Sequence, residues 1–136
     1  MFQNPITAYQ QIGIESDVRG ADPHRLIVLL FDGAEVAIAR ALTQMAAKDY
    51  IGLAESVNKA NSIILEGLLP SLNLDAGELA HNLAALYDYM ARRLLHAHVN
   101  SDAAAIREVQ GLLGEISGAW REMGEQLRQP QGVENP

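Results

Sequence analysis

Cysteine is absent from this chain of 136 residues, and its absence excludes disulfide bonds and thiolate metal sites. A fold without cysteine fits the reducing environment of the cytosol. The start of the chain also lacks the basic and apolar regions of a signal peptide, and no stretch approaches the roughly 18 apolar residues of a membrane span. We therefore expect a cytoplasmic protein without stable membrane insertion.

Aromatic residues are scarce as well, at 5% of the chain, although hydrophobic residues make up 49%. The apolar content comes largely from Ala and Leu, which favour the packing of helices over a sheet-based core. The composition therefore predicts an all-α fold.

Basic residues are also few. The chain contains 10 Lys and Arg but 17 Asp and Glu, which gives it a formal net charge of -7. A chain with this charge repels the phosphate backbones of DNA and RNA. We therefore expect no nucleic-acid partner.

Two long helices are predicted in the first half of the chain. Asp22 is a suitable cap, and Pro23 suits the first helical position, so the first helix begins there and runs to about residue 47. The second helix begins after Asp49 and ends near Leu69, because Pro70 cannot continue it.

Two more helices are predicted in the second half. Asp75 and Glu78 have the spacing of a capping box, which starts a third helix that runs to about Val99. Asn100 or Ser101 then caps a fourth helix, whose apolar residues recur at alternating steps of three and four as far as residue 127.

Four helices joined by short loops pack as antiparallel neighbours. We therefore predict an up-down four-helix bundle over residues 22–128, with an additional N-terminal arm or short helix at residues 1–21. The tail, residues 129–136, lacks an apolar period and is predicted to be disordered.

The apolar content of the first two helices exceeds what one buried stripe requires. Residues 26–31 are all apolar, and residues 60–74 contain Glu66 as their only charge. The pattern alone is compatible with two interpretations: these helices are the most buried of the bundle, or they expose a binding groove.

The N-terminal arm favours the groove, because Phe2, Ile6 and Tyr9 have helical spacing and can cover apolar surface until a partner helix displaces them. We predict that Ile6 and Tyr9 of the arm contact the partner. The predicted groove residues are Leu26, Ile27, Leu30, Ala34, Ile64 and Leu68.

One motif resembles a metal site. Glu78 and His81 have the Glu-x-x-His spacing of di-iron bundles, but such sites need a second copy and two further glutamates. No nucleophile and base can be assembled elsewhere in the sequence. We therefore expect no metal, no cofactor and no catalytic residues.

Three motifs together resemble the flagellin-export chaperone family, FliS. They are Asp-Pro-His-Arg-Leu-Ile-Val-Leu-Leu-Phe-Asp-Gly-Ala at residues 22–34, Leu-Tyr-Asp-Tyr-Met-Ala-Arg-Arg-Leu-Leu at residues 86–95, and Ala-Tyr-Gln-Gln at residues 8–11. Their spacing holds over nearly the whole chain.

The resemblance implies a chaperone rather than an enzyme. It implies binding of the flagellin C-terminal segment in the cytosol, which prevents premature polymerisation, and delivery to a flagellar export gate component of the type III secretion apparatus. It also implies that Ile6 and Tyr9 take part in capping and flagellin binding. We expect a monomer or weak dimer, and the alternatives are a dimeric regulatory or adaptor bundle and a bundle metalloenzyme.

Overall fold

The computed structural model describes residues 22–128, and of residues 126–128 it describes the backbone alone. This range forms four α-helices and contains no β-strand. The helices are α1 (Pro23–Ala46), α2 (Tyr50–Ser62), α3 (Glu78–Asn100) and α4 (Ala103–Arg128). The prediction of an all-α bundle is confirmed, whereas the predicted arm and tail lie outside the described residues.

The starts of α1 and α2 follow from aspartate caps. The backbone N–H of Arg25 donates to Oδ1 of Asp22 at 2.7 Å, and Pro23 occupies the first turn. The backbone N–H of Gly52 likewise donates to Oδ1 of Asp49 at 3.0 Å. Each carboxylate satisfies an amide that the helix itself leaves unpaired, as the sequence predicted.

The end of the second helix is wider than an α-helix. A π-helical segment, Ile63–Leu68, follows α2 directly, and the backbone N–H of Leu69 donates to the carbonyl oxygen of Ile64 at 2.8 Å. The predicted end near Leu69 and Pro70 is therefore close to the observed one. The π-helical form was not predicted, because the sequence period does not distinguish it.

The predicted capping box before α3 is wrong. Asp75 lies inside a 3-10 turn, Leu74–Ala76, and its backbone N–H donates to the side chain of Asn73 at 3.1 Å. Gly77 precedes α3 with a φ of 116° and provides no side-chain cap. A positive φ of this size is accessible to glycine at little cost, and it turns the chain into α3 without help from Asp75.

The predicted cap of the fourth helix is also displaced. Asn100 ends α3, and Ser101 follows it in the left-handed region at a φ of 51°. The cap of α4 is Asp102, whose Oδ1 accepts the backbone N–H of Ala105 at 3.3 Å. The two residues that were predicted to cap α4 instead end α3 and begin the turn that follows it.

The four helices pack so that α1 and α3 occupy opposite corners. α1 lies against α2 and α4, and α3 lies against the same two helices. The largest fully buried side chains come from every helix and from the π-helical segment, and they form one core. They are Phe31, Leu30, Ile38, Leu53, Ile63, Ile64, Leu68, Met90, Leu94, Ile106, Leu113 and Val57.

Among residues 22–128, no helix combines the length and the apolar character that crossing a membrane requires.

Candidate functional site

The six predicted groove residues all lie in the core. Leu26, Ile27, Leu30 and Ala34 on α1, and Ile64 and Leu68 in the π-helical segment, are each buried in the main apolar cluster. The continuous apolar run of α1 is therefore used mostly for packing, and only Leu29 in it is partly exposed. Partner contact by these six residues stays a prediction. Ile6 and Tyr9 lie outside the described residues, so their role also stays a prediction.

The exposed large apolar side chains lie mainly elsewhere in the described chain. Apart from Val36 on α1 and Met123 on α4, they are on α2, on α3 or on the segment between them. They are Tyr50, Ile51, Leu65, Leu74, Leu79, Leu95 and Val99. An apolar surface of this kind on a small bundle indicates an interaction site.

Some of these exposed side chains lie near the contact between α2 and α3. The side-chain Nδ2 of Asn61 donates to the carbonyl oxygen of Ala91 at 3.2 Å, so these two residues mark a level at which the helices touch. Leu65 lies one helical turn after Asn61, and Leu95 lies one turn after Ala91. Both are exposed, Leu65 at 37% and Leu95 at 48%, within about one turn of this level.

Two further residues extend this surface toward one end of the bundle. Ile51 precedes Asn61 by ten residues and Val99 follows Ala91 by eight, which corresponds to about 15 Å and 12 Å along antiparallel helices. Their side chains are 78% and 77% exposed. We use the name α2–α3 surface for the exposed apolar side chains of Ile51, Leu65, Leu95 and Val99 together with Asn61 at the contact between the helices.

A charged pair lies beside the α2–α3 surface. Arg92 binds Asp88 on the same helix at 2.8 Å, and both side chains are more than half exposed. Their spacing of four residues places both side chains on the same face of α3. Because it is solvent-exposed, it contributes little to stability and can exchange partners readily.

One buried polar atom beneath the α2–α3 surface lacks a partner among the described residues. Oδ1 of Asn61 is buried without a hydrogen bond, and Tyr87 on α3 is 3% exposed. Burial raises the pKa of Tyr87 above its ordinary value of 10.0, because the phenolate would lose its hydration. The phenol is therefore neutral at physiological pH and able to donate.

The seam between α1 and α4 is, by contrast, closed by a polar network. Arg121 pairs with Asp32 and binds Oε1 of Glu35 at 3.1 Å, while the hydroxyl of Ser117 donates to Oε2 of Glu35 at 2.8 Å. Burial opposes the charge of Arg121, but its hydrogen bonds to the two carboxylates outweigh burial and raise its pKa. Each group of this network has a partner, whereas Nε2 of His24, farther along the same seam, is buried without one among the described residues.

A second apolar feature lies on α1. Val36, Ala39, Arg40, Thr43 and Gln44 line a shallow depression of about 440 Å³. Val36 is its only exposed large apolar side chain in the described range. The α2–α3 surface contains more of the exposed large apolar side chains than this depression, so we regard it as the stronger candidate.

The metal-like motif does not develop into a metal site in the described chain. Glu78 and His81 are both exposed at the start of α3. Within residues 22–125, no three side chains of the His, Cys, Asp or Glu type are grouped to hold an ion.

The sequence did not predict the residues of the α2–α3 surface. The available signal was weak: Leu95 and Val99 are four residues apart, immediately beside the buried stripe of α3. Asn61 was a second signal, since it is a polar residue within an apolar stretch. Neither pattern indicates exposure until the positions of the neighbouring helices are known.

Comparison with known proteins identifies one family. The family model described as "Flagellar protein FliS" matches residues 5–127. This match includes nearly the whole described bundle and part of the preceding segment.

Curated relatives carry the corresponding name. The chain is 47% identical over 119 residues to the flagellar secretion chaperone FliS of Salmonella typhimurium, which covers 87% of this chain and 88% of that protein. It is 42% identical over 130 residues to the protein of the same name from Escherichia coli, and the aligned residues cover 95% of this chain and 93% of that protein. It is 40% identical over 113 residues to the flagellar secretion chaperone FliSB of Pseudomonas aeruginosa, and the aligned residues cover 82% of this chain and 89% of that protein.

Proposed function

The chain belongs to the FliS family of flagellar secretion chaperones, and we propose that it binds the C-terminal segment of flagellin in the cytosol. Binding keeps that segment from polymerising prematurely and presents it to a component of the flagellar export gate. The protein acts by binding rather than by catalysis, which agrees with the chaperone name of its relatives.

The observation that carries this proposal is the exposed apolar character of the α2–α3 surface. A segment that later packs into a filament core has an apolar face, and it needs a complementary surface until then. Covering a large apolar side chain fully contributes roughly 1.5–3 kcal/mol. Ile51 and Val99, each more than three-quarters exposed, can therefore supply much of the binding free energy.

The six residues predicted for the groove are buried, so in this proposal some of them support exposed residues from within the core. Ile64 and Leu68 lie in the segment beside Leu65, so they support the position of the exposed residue from within the core. Contact of the α1 residues with flagellin requires them to become accessible. A role for Ile6 and Tyr9 as a displaceable cover remains part of the proposal.

Calorimetry with a synthetic peptide of the flagellin C-terminal segment tests the function. We expect one peptide to bind per chaperone chain, together with a gain in helical circular dichroism on mixing, because a disordered segment becomes helical when it binds. An absence of binding heat at micromolar concentrations, over several temperatures, would contradict the proposal. So would a tight dimer that resists the peptide, since its interface would occupy the same apolar side chains.

A further inference from the structure

The π-helical segment, Ile63–Leu68, contains one of the exposed apolar residues of the α2–α3 surface. Leu65 is 37% exposed, whereas Ile63, Ile64 and Leu68 around it are fully buried. A π-helix is rare, because its hydrogen bonds span five residues instead of four, and it occurs mostly as a single turn, frequently at functional sites. The segment therefore requires a local cause, and its position on the candidate binding surface indicates a use.

Pro70 provides the local cause. Proline has no backbone N–H, and in an α-helix its ring clashes with the carbonyl group four residues before it, which here belongs to Glu66. In the observed form, the backbone N–H of Leu69 donates to the carbonyl oxygen of Ile64 at 2.8 Å, one residue farther back than in an α-helix. The helix thus widens immediately before the residue that cannot continue it in the α form.

The wider form affects where the side chain of Leu65 lies. Successive residues of an α-helix are about 100° apart around the helix axis, and a turn that holds an additional residue reduces this angle. A return of the segment to the α form would therefore rotate Leu65 about the axis relative to α2. The observed exposure of Leu65 depends on the π form.

We propose that Pro70 is a positioning residue for flagellin binding. It holds residues 63–68 in the π form, and this form presents Leu65 to an apolar side chain of the bound segment. Pro70 acts through Leu65 and does not need to contact the segment itself. This proposal rests on the proposed function, because it concerns the same α2–α3 surface.

Ser71 offers a matched control in the same turn. Its hydroxyl donates to the carbonyl oxygen of Leu68 at 2.6 Å, and its backbone N–H donates to the same oxygen at 3.2 Å. Ser71→Ala removes the first of these hydrogen bonds but leaves Pro70 in place. The comparison therefore separates a general disturbance of the turn from loss of the π form.

The first measurement is the structure of Pro70→Ala, by NMR spectroscopy or crystallography. Alanine has a backbone N–H and no ring, so the segment can adopt the commoner α form. We expect the N–H of Leu69 to donate to the carbonyl oxygen of Leu65 instead of that of Ile64. Ser71→Ala is expected to keep the hydrogen bond to Ile64. An unchanged π form in Pro70→Ala would overturn the role of Pro70.

The second measurement is calorimetric titration of the flagellin C-terminal peptide. We expect Pro70→Ala and Leu65→Ala each to bind the peptide about three- to fivefold more weakly than the wild type, because each removes the contact made by Leu65. The double variant should bind no more weakly than Leu65→Ala alone, since both changes remove the same contact. Ser71→Ala should bind the peptide as the wild type does.

The binding results separate this proposal from the function on which it rests. Equal binding by the wild type and Pro70→Ala would overturn the positioning role and leave the chaperone function intact. Additive weakening by Pro70→Ala and Leu65→Ala, or an equal loss in Ser71→Ala, would also overturn it, because Pro70 would then not act through Leu65. If the wild type does not bind the peptide, both proposals fail.

Discussion

Trp120 and His24 join the end of α4 to the first turn of α1 by two contacts at once. The indole N–H of Trp120 donates to the backbone carbonyl oxygen of His24 at 3.1 Å, and the two rings stack with centroids 4.7 Å apart. Gly124 lies against the other edge of the imidazole, where a Cβ would stand 2.1 Å from Nε2 of His24. The stack therefore depends on the absence of a side chain at residue 124.

We predict that Gly124→Ala destabilises the bundle by about 1–3 kcal/mol, because the new methyl group displaces His24 from Trp120. Trp120 is the only tryptophan of the chain, so urea unfolding followed by its fluorescence measures both the stability and the stack. Gly118→Ala is the matched control. A Cβ at residue 118 meets nothing within 4 Å, and alanine there is expected to stabilise α4 by up to about 1 kcal/mol. Similar effects of the two variants would refute this account.

Ser101 adopts the left-handed conformation that ends α3, with a φ of 51°. A residue with a side chain is disfavoured there, whereas glycine is not. We expect Ser101→Gly to raise the free energy of unfolding by about 0.5–1 kcal/mol. Ala119→Gly, a glycine placed in the interior of α4, should lower it by about 1 kcal/mol, and a thermal melt of both variants checks the opposite signs.

Glu108 connects α3 to α4 by accepting from Tyr89 and, at 3.0 Å, from Nε of Arg93. The hydrogen bond from Tyr89 is the main cause that holds the pKa of Glu108 below its ordinary value of 4.5, and Arg93 adds to the effect. A carboxyl group whose pKa is lower in the folded state stabilises the fold above its unfolded pKa. That contribution is lost as the pH falls through its folded pKa.

The resulting prediction concerns Glu108→Gln. The variant should be less stable than the wild type at pH 7, and the difference should shrink as the pH falls below about 4. Glu115→Gln on the exposed face of α4 serves as the control and should show no comparable pH-dependent difference. Urea midpoints measured from pH 7 to pH 3 decide the question, and a constant difference for Glu108→Gln would contradict the assigned role.

Helix existence could be predicted from the sequence because it depends on local patterns. Asp22 and Asp49 each precede an apolar period, and both act as caps in the structure. Asp75 had an equally good local pattern but does not cap α3, because Asn73 binds its backbone N–H and Gly77 redirects the chain. The conformation of a loop depends on such competing contacts, and the helical period contains no information about them.

The location of exposed apolar surface could not be predicted in the same way. The run from Leu26 to Phe31 suggested an excess of apolar area on α1, but α1 lies between α2 and α4 and buries most of it. Ile51 and Val99 lie near helix ends, where the neighbouring helices give little cover. Exposure is set by the arrangement of helices in space, which a one-dimensional pattern does not specify.

We propose that flagellin binds the α2–α3 surface, and a comparison of Val99→Ser with Val36→Ser tests this. Both valines are exposed on a helix, at 77% and 52%, but Val99 lies on the α2–α3 surface and Val36 lies in the depression on α1. Calorimetry with the flagellin C-terminal peptide should give about fivefold to tenfold weaker binding for Val99→Ser and unchanged binding for Val36→Ser. Unchanged binding for Val99→Ser, with a loss for Val36→Ser, would place the flagellin site on α1 and contradict the claim.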